Sequence, residues 1–129
     1  MPEIPYSQSP LVKKLAIKPK TRITAVNPIE GFRALLGELP TGTTYEDKLD
    51  GEFNWMIVFV KSEGELDGLI GTIKEHLKQD GILWISIPRT KNPLLNRNSL
   101  FAWRTRNGFD MNSNAVVNED WTAYRFKRL

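Results

Sequence analysis

Two short apolar runs, residues 55–60 (Trp-Met-Ile-Val-Phe-Val) and 82–87 (Ile-Leu-Trp-Ile-Ser-Ile), constrain this fold more than any other feature of the chain. Neither alternates apolar with polar, which is the pattern of a strand covered on both faces. Between them, Leu66, Leu69, Ile70, Ile73 and Leu77 recur at three-four spacing, so residues 62–78 form an amphipathic helix. Ser62 and Glu65 make the capping-box pattern, which satisfies N–H groups of a first helical turn. Gly81 is the expected stop. The internal glycines Gly64, Gly68 and Gly71 weaken the helix by about 1 kcal/mol each where exposed, the alternative being that two of them permit close packing on the sheet. Strand, helix and strand in this order form a right-handed crossover with parallel strands.

The remaining sequence extends that unit in both directions. Pro10 opens a short helix over 11–15, because its missing N–H costs nothing at a first helical position. A first strand covers 22–26, and Asn27-Pro28 ends it. A helix over 28–36 places Ile29, Phe32, Leu35 and Leu36 on one face, with Gly37 as its stop. Residues 43–49 form a weak, polar second strand, and residues 53–60 the full central strand. After a basic loop over 88–93 comes a helix over 95–107, carrying Leu100, Ala102 and Trp103. Residues 109–117 and 121–127, joined by Asn118-Glu119-Asp120, form a hairpin. Residues 1–10 are an irregular arm with prolines at 2, 5 and 10. The whole is one domain, 1–129: a three-layer α/β sandwich whose mostly parallel sheet closes with an antiparallel hairpin. Such sheets take ligands beyond the carboxyl ends of their strands. Here that rim comprises residues 27–31, Lys61-Ser62, and 88–91.

Composition removes several chemistries. The chain has no cysteine, which excludes disulfides, thiolate nucleophiles and cysteine metal sites, and fits a reducing cytoplasm. The lone histidine, His76, falls near the end of a helix, where a solvated or capping role is expected, and no carboxylate cluster is spaced for a metal. No apolar run is long enough to cross a bilayer as a helix. Ser62 is explained by capping, and neither it nor Ser86 has a histidine placed to activate it. Asp47, Asp50 and Glu52 read as acids of a surface turn. Trp55 and Trp84 read as core, while Trp103 and Trp121 are open to either core packing or base stacking. The charge is unevenly placed: residues 81–129 carry eight Lys/Arg against three Asp/Glu, and residues 1–80 ten against twelve.

Three segments carry a family resemblance. Residues 15–24, Leu-Ala-Ile-Lys-Pro-Lys-Thr-Arg-Ile-Thr, resemble the turn and first strand that lead into the glycine-rich loop of class I S-adenosylmethionine-dependent methyltransferases. Residues 51–59 resemble that family's Phe-Asp-plus-apolar strand, and residues 77–85 its helix end, Pro-Gly-Gly turn and strand. Asn107-Gly108-Phe109 before the closing hairpin also fits. The resemblance spans most of residues 11–129 and implies a Rossmann-like methyltransferase scaffold reduced by one strand-helix unit. More narrowly, the chain is similar to a family of short bacterial proteins of unknown function that share this scaffold.

The resemblance breaks at the cofactor loop, Asn27-Pro28-Ile29-Glu30-Gly31. The family's first-strand acid corresponds to Ala25, its first two loop glycines to Asn27 and Ile29, and only Gly31 matches. A β-branched isoleucine adds bulk where backbone must approach the cofactor, and it disfavours positive φ. Glu46, at the end of the second strand, is the candidate for holding the ribose hydroxyls. No cofactor is expected on this reading, with S-adenosylmethionine the one to test. Lys61, Arg89, Lys91, Arg97, Arg104 and Arg106 are the candidate anion-binding residues, since arginine offers paired, planar donors to phosphate. Three readings follow: a non-catalytic binding or interaction module with a small anionic ligand or a protein as partner, a methyltransferase with an altered loop, and a phosphate or nucleic-acid binder using the basic carboxyl half.

Overall fold

The structure, a computed structural model, describes residues 10–89 and 95–129. Residues 1–9 of the arm expected over 1–10, most of the basic loop and Lys91 lie outside the described residues, and Pro10 belongs to the first helix. A six-stranded sheet forms the middle layer. In chain order the elements are α1 (Pro10–Lys14), β1 (Arg22–Val26), α2 (Phe32–Leu36), β2 (Thr44–Tyr45), β3 (Phe53–Phe59), α3 (Glu63–His76), β4 (Leu77–Pro88), α4 (Arg97–Asn107), β5 (Phe109–Val116) and β6 (Trp121–Arg128). The strands lie in the order β2-β1-β3-β4-β6-β5. The first four are parallel, and β6 returns antiparallel against β4, with β5 antiparallel on its far side. This is the reduced sandwich with a closing hairpin, and β1, β3 and β4 are adjacent as the crossover rule requires.

Side-chain alternation along β3 and β4 builds a core on each face of the sheet. Trp55, Ile57, Phe59 and Trp84 pack against α1 and α2, with Leu11, Val12, Leu15, Phe32 and Leu36. Met56, Val58, Leu83, Ile85 and Ile87 pack against α3 and α4, with Leu66, Ile73, Leu100 and Trp103. The indole N–H groups of Trp55 and Trp84 both donate to the Leu15 carbonyl, at 2.8 and 2.9 Å, so one acceptor satisfies two buried donors from neighbouring strands. Trp103 is also fully buried, stacked on Phe109 at 5.6 Å and edge-on to Phe126, with its N–H on Asp67 at 3.2 Å. Its role is packing, not base stacking.

Three local expectations need correction. The helix expected over 28–36 begins only at Phe32. Gly31, inside the expected span, adopts φ 76°, and a left-handed residue cannot lie inside a right-handed helix, so it stands just before the first turn. The helix expected over 62–78 ends at His76, and Gly81 lies inside β4 instead of stopping the helix. Leu77 is fully buried and pairs with Phe53, after which the next paired residues are Trp55 and Ile82. Residues 78–81 therefore bulge opposite Asn54, and Gly81 allows the tight approach: a Cβ there would sit 2.7 Å from Leu77 Cδ1. The second strand is only Thr44–Tyr45, too short to pair further. Of the two readings of the α3 glycines, exposure holds: added Cβ atoms at Gly68 and Gly71 would meet nothing within 4 Å, and one at Gly64 only Ser62 Oγ at 3.9 Å. Those glycines face solvent and do not tighten packing on the sheet.

Candidate functional site

The carboxyl ends of β1, β3 and β4 meet at one rim. Asn27 turns the chain out of β1 in the left-handed conformation, which asparagine tolerates better than most side chains. The Phe32 N–H then donates to the Ile29 carbonyl at 3.1 Å and closes a tight turn before α2. Ile29 is half-buried and packs on the α1/α2 core, while Asn27, Pro28, Glu30 and Gly31 are exposed. Two clefts flank this turn. One, of about 510 Å³, is floored by Ile29, Phe59 and Trp121 and edged by Asn27, Glu30, Lys61 and Glu65. The other, of about 590 Å³, lies between the start of α2 and the end of β2, beside Tyr45 and Asp47. Pro28 and Ile29 line both, so the pair stands as a partition between them.

Aromatic edges shape the first cleft. Phe59 is held edge-on between Phe32 and Trp121, at 5.0 and 5.4 Å between ring centroids. Its mouth is electrostatically mixed, one lysine facing two carboxylates. In the second cleft, Arg33 lies 5.9 Å above the Tyr45 ring. Burial pushes the Tyr45 phenol up from its ordinary pKa; Asp47 adds to the rise and Arg33 opposes it. Sequence reasoning treats Asp47 as a turn acid, leaves Trp121 open between packing and stacking, and does not single out Tyr45 or Phe59; the structure packs Trp121 against Phe59. Position directly after a strand at the carboxyl edge was the available signal for Asp47.

Glu46 has a different neighbourhood. Its carboxylate accepts two hydrogen bonds from Arg22, at 2.6 and 2.8 Å, and its backbone carbonyl accepts from the Thr24 hydroxyl at 2.6 Å. Arg22 also donates to the Glu52 and Asp50 carbonyls at 2.8 and 2.6 Å, and its guanidinium covers the Phe53 ring. The Arg22 hydrogen bonds hold the Glu46 carboxyl below the usual carboxylate range. Arg22 opens β1, so this pairing draws Glu46 toward the amino-terminal edge of the sheet, away from the rim. At the same edge His76 Nδ1 lies 2.7 Å from the Gly51 carbonyl, which pins the end of α3 to the Asp50-Gly51 turn.

The candidate cations scatter. Lys61 reaches the first cleft. Arg89 is exposed at the end of β4 and does not line it, while its backbone N–H donates to the Asp120 carbonyl at 2.8 Å. Arg106 is paired with Glu63 across to α3. Arg97 lines a groove with β5 residues, Arg104 lies on α4 two turns later, and neither lines the rim cleft. Ser62 accepts from the Glu65 N–H at 3.1 Å as a cap, and Ser86 is fully buried with its hydroxyl unpartnered. Among the described residues no group of three or more His, Asp or Glu could hold a metal ion, and no helix is long and apolar enough to cross a membrane.

No protein-family model matches the sequence, and no curated protein matches it significantly. Solved structures do resemble it. A S-adenosylmethionine-dependent methyltransferase from Aquifex aeolicus superposes with a TM-score of 0.63 at 10% identity, over 97% of this chain and 91% of that one. The ribosomal protein L11 methylase of Lactobacillus delbrueckii gives 0.60 at 16% identity, over 92% and 74%. The fibrillarin pre-rRNA processing protein of Methanococcus jannaschii gives 0.53 at 14% identity, over 87% and 68%. At such identities the likeness is one of fold. The chain thus has a reduced form of the Rossmann-like fold found in class I S-adenosylmethionine-dependent methyltransferases.

Proposed function

We propose that this chain is a binding module built on the methyltransferase fold, which engages a partner at its carboxyl rim and does not transfer methyl groups. One observation carries the reading: Pro28 and Ile29 line both rim clefts and divide them. A cofactor stretched across the loop needs one continuous trough and close backbone approach, which glycines permit and Ile29 obstructs. Two further features agree. The position of the family's cofactor-binding acid holds Ala25, and the Glu46 carboxylate is held by Arg22 at the opposite edge. The residues therefore fit S-adenosylmethionine poorly.

What the rim offers instead is an apolar floor of Ile29, Phe59 and Trp121 beneath Lys61, Glu30 and Glu65. One cation between two carboxylates suits a protein segment of mixed charge better than a free anion, whose phosphate the two acids would repel. The experiment is titration calorimetry with S-adenosylhomocysteine on the wild-type chain and on Asn27→Gly/Ile29→Gly. The expected outcome is no binding by the wild type at millimolar ligand; a micromolar Kd would overturn the proposal. A second reading, an enzyme with an altered loop, is favoured by the fold likeness across 97% of the chain. That same micromolar Kd would favour it.

A further inference from the structure

A separate surface on α4 points to another partner. At 100° per residue, Arg97, Phe101 and Arg104 fall at i, i+4 and i+7 on one flank of this helix. Leu100 and Trp103 face the core, and Arg106 lies on the other flank, paired with Glu63 of α3. Phe101 is 47% exposed, unusual for a phenylalanine on a helix whose apolar side is already buried. The Arg104 guanidinium lies 3.9 Å over its ring centroid, so ring and cation form one stacked pair. Arg104 Nε is buried without a hydrogen-bond partner, and no ion pair among the described residues engages Arg97 or Arg104.

One turn before Phe101, Arg97 overhangs a polar groove of about 200 Å³. Met111, Asn112, Ser113, Asn114 and Tyr124 line the rest of it, and no carboxylate does. Within this groove β5 shifts register against β6 between Met111 and Ser113, an irregularity of the edge strand. Amides and hydroxyls supply both donors and acceptors there. In sequence, residues 81–129 carry eight Lys/Arg against three Asp/Glu.

We propose that this flank of α4, together with the β5 groove, binds single-stranded nucleic acid. Phe101 stacks on a base, Arg104 backs that stack and meets the phosphate beside it, and Arg97 with the Asn112–Asn114 groove holds the adjoining nucleotide. An exposed aromatic combined with unpaired cations is the arrangement that engages every base by its π-face and every linkage by its charge. A duplex keeps its bases stacked inside and offers Phe101 nothing. This surface is distinct from the rim cleft, so its fate does not depend on the rim reading.

The test is fluorescence anisotropy of the full chain with labelled twelve-nucleotide oligo(U), oligo(dT) and a duplex of the same length, from low to moderate salt. Binding to either single strand in preference to the duplex is expected. Phe101→Ala should weaken it about 5- to 100-fold, and Phe101→Trp should restore it. Arg97→Gln with Arg104→Gln should lower the slope of log affinity against log salt by about 1.4, the release expected for two phosphates on a single strand. Lys13→Gln with Lys14→Gln removes the same charge from the exposed side of α1 and should leave binding within twofold. Equal binding of the duplex, an unchanged affinity in Phe101→Ala, or no binding at about 100 μM protein in low salt would each overturn the proposal.

Discussion

The two ends of the sheet use charged side chains in opposite ways. At the amino-terminal edge, Arg22 gathers Glu46, two backbone carbonyls and the Phe53 ring, Asn54 accepts the Arg22 N–H at 2.8 Å, and His76 fastens α3 to the Asp50-Gly51 turn. At the carboxyl rim, Glu30, Lys61 and Glu65 surround a cleft and no ion pair among the described residues joins them. A guanidinium that closes two hydrogen bonds on one carboxylate fixes geometry as well as charge. Ionic groups left beside an apolar floor instead stay available to whatever docks there. The amino-terminal edge is built for closure and the rim for contact.

Substitution of two glycines should expose that difference most strongly. Gly81, at the closed end, has no room for a Cβ: Leu77 Cδ1 would lie at 2.7 Å, the Lys78 carbonyl at 3.0 Å and the Asn54 carbonyl at 3.2 Å. Two of those three contacts are backbone and cannot rotate away. Gly81→Ala should therefore destabilise by about 1–3 kcal/mol in urea titration, the usual cost of overpacking. Gly31, at the rim, has nothing within 4 Å of an added Cβ, and only its φ of 76° resists substitution. Gly31→Ala should cost about 1 kcal/mol, from left-handed strain alone. A Gly31→Ala cost equal to or above that of Gly81→Ala would contradict the idea that the two ends are packed differently.

The helix that joins the ends offers a smaller effect of opposite sign. Gly68 and Gly71 face open solvent on α3, so alanine there gains helix propensity and meets no clash. Each substitution should stabilise by up to about 1 kcal/mol, read as a shift of the urea midpoint at constant slope. Loss of stability in either variant would mean that the glycine face of α3 is packed after all.

What the sequence made legible follows the range of the forces involved. The apolar runs of β3 and β4, the Ser62 cap and the helical stripe of α3 are local patterns, and the structure keeps each within a few residues. The late start of α2 was not legible, because it depends on Gly31 taking a left-handed angle that neighbouring residues do not dictate. The early end of α3 was hidden for another reason: Leu77 leaves the helix to pair with Phe53, a partner 24 positions away. Glu46 shows the same limit at the candidate site. Its place after β2 suggested a ligand contact, and only the fold brings Arg22 across to occupy it. Likewise the partition made by Pro28 and Ile29 is visible only once clefts exist on both sides.

The subtlest contrast between the two ends lies in their response to acid. Glu46 titrates below its ordinary 4.5 in the folded state, chiefly through the Arg22 hydrogen bonds. A folded pKa lower than the unfolded one means that the unfolded chain takes up the proton first as pH falls. The Arg22–Glu46 contribution is thus complete above the unfolded carboxylate range and is lost as pH drops through the depressed folded value. Side chains of both residues are about one-third exposed, at 37% and 34%, so solvent screens the pair and the effect on stability should be modest. Thermal melts from pH 7 downward should show wild type above Glu46→Gln at neutral pH, with the two curves converging in acid. At the rim, no ion pair among the described residues locks Glu30 or Glu65 in the same way. Curves of wild type and Glu46→Gln that stay parallel into acid would contradict a closed amino-terminal edge.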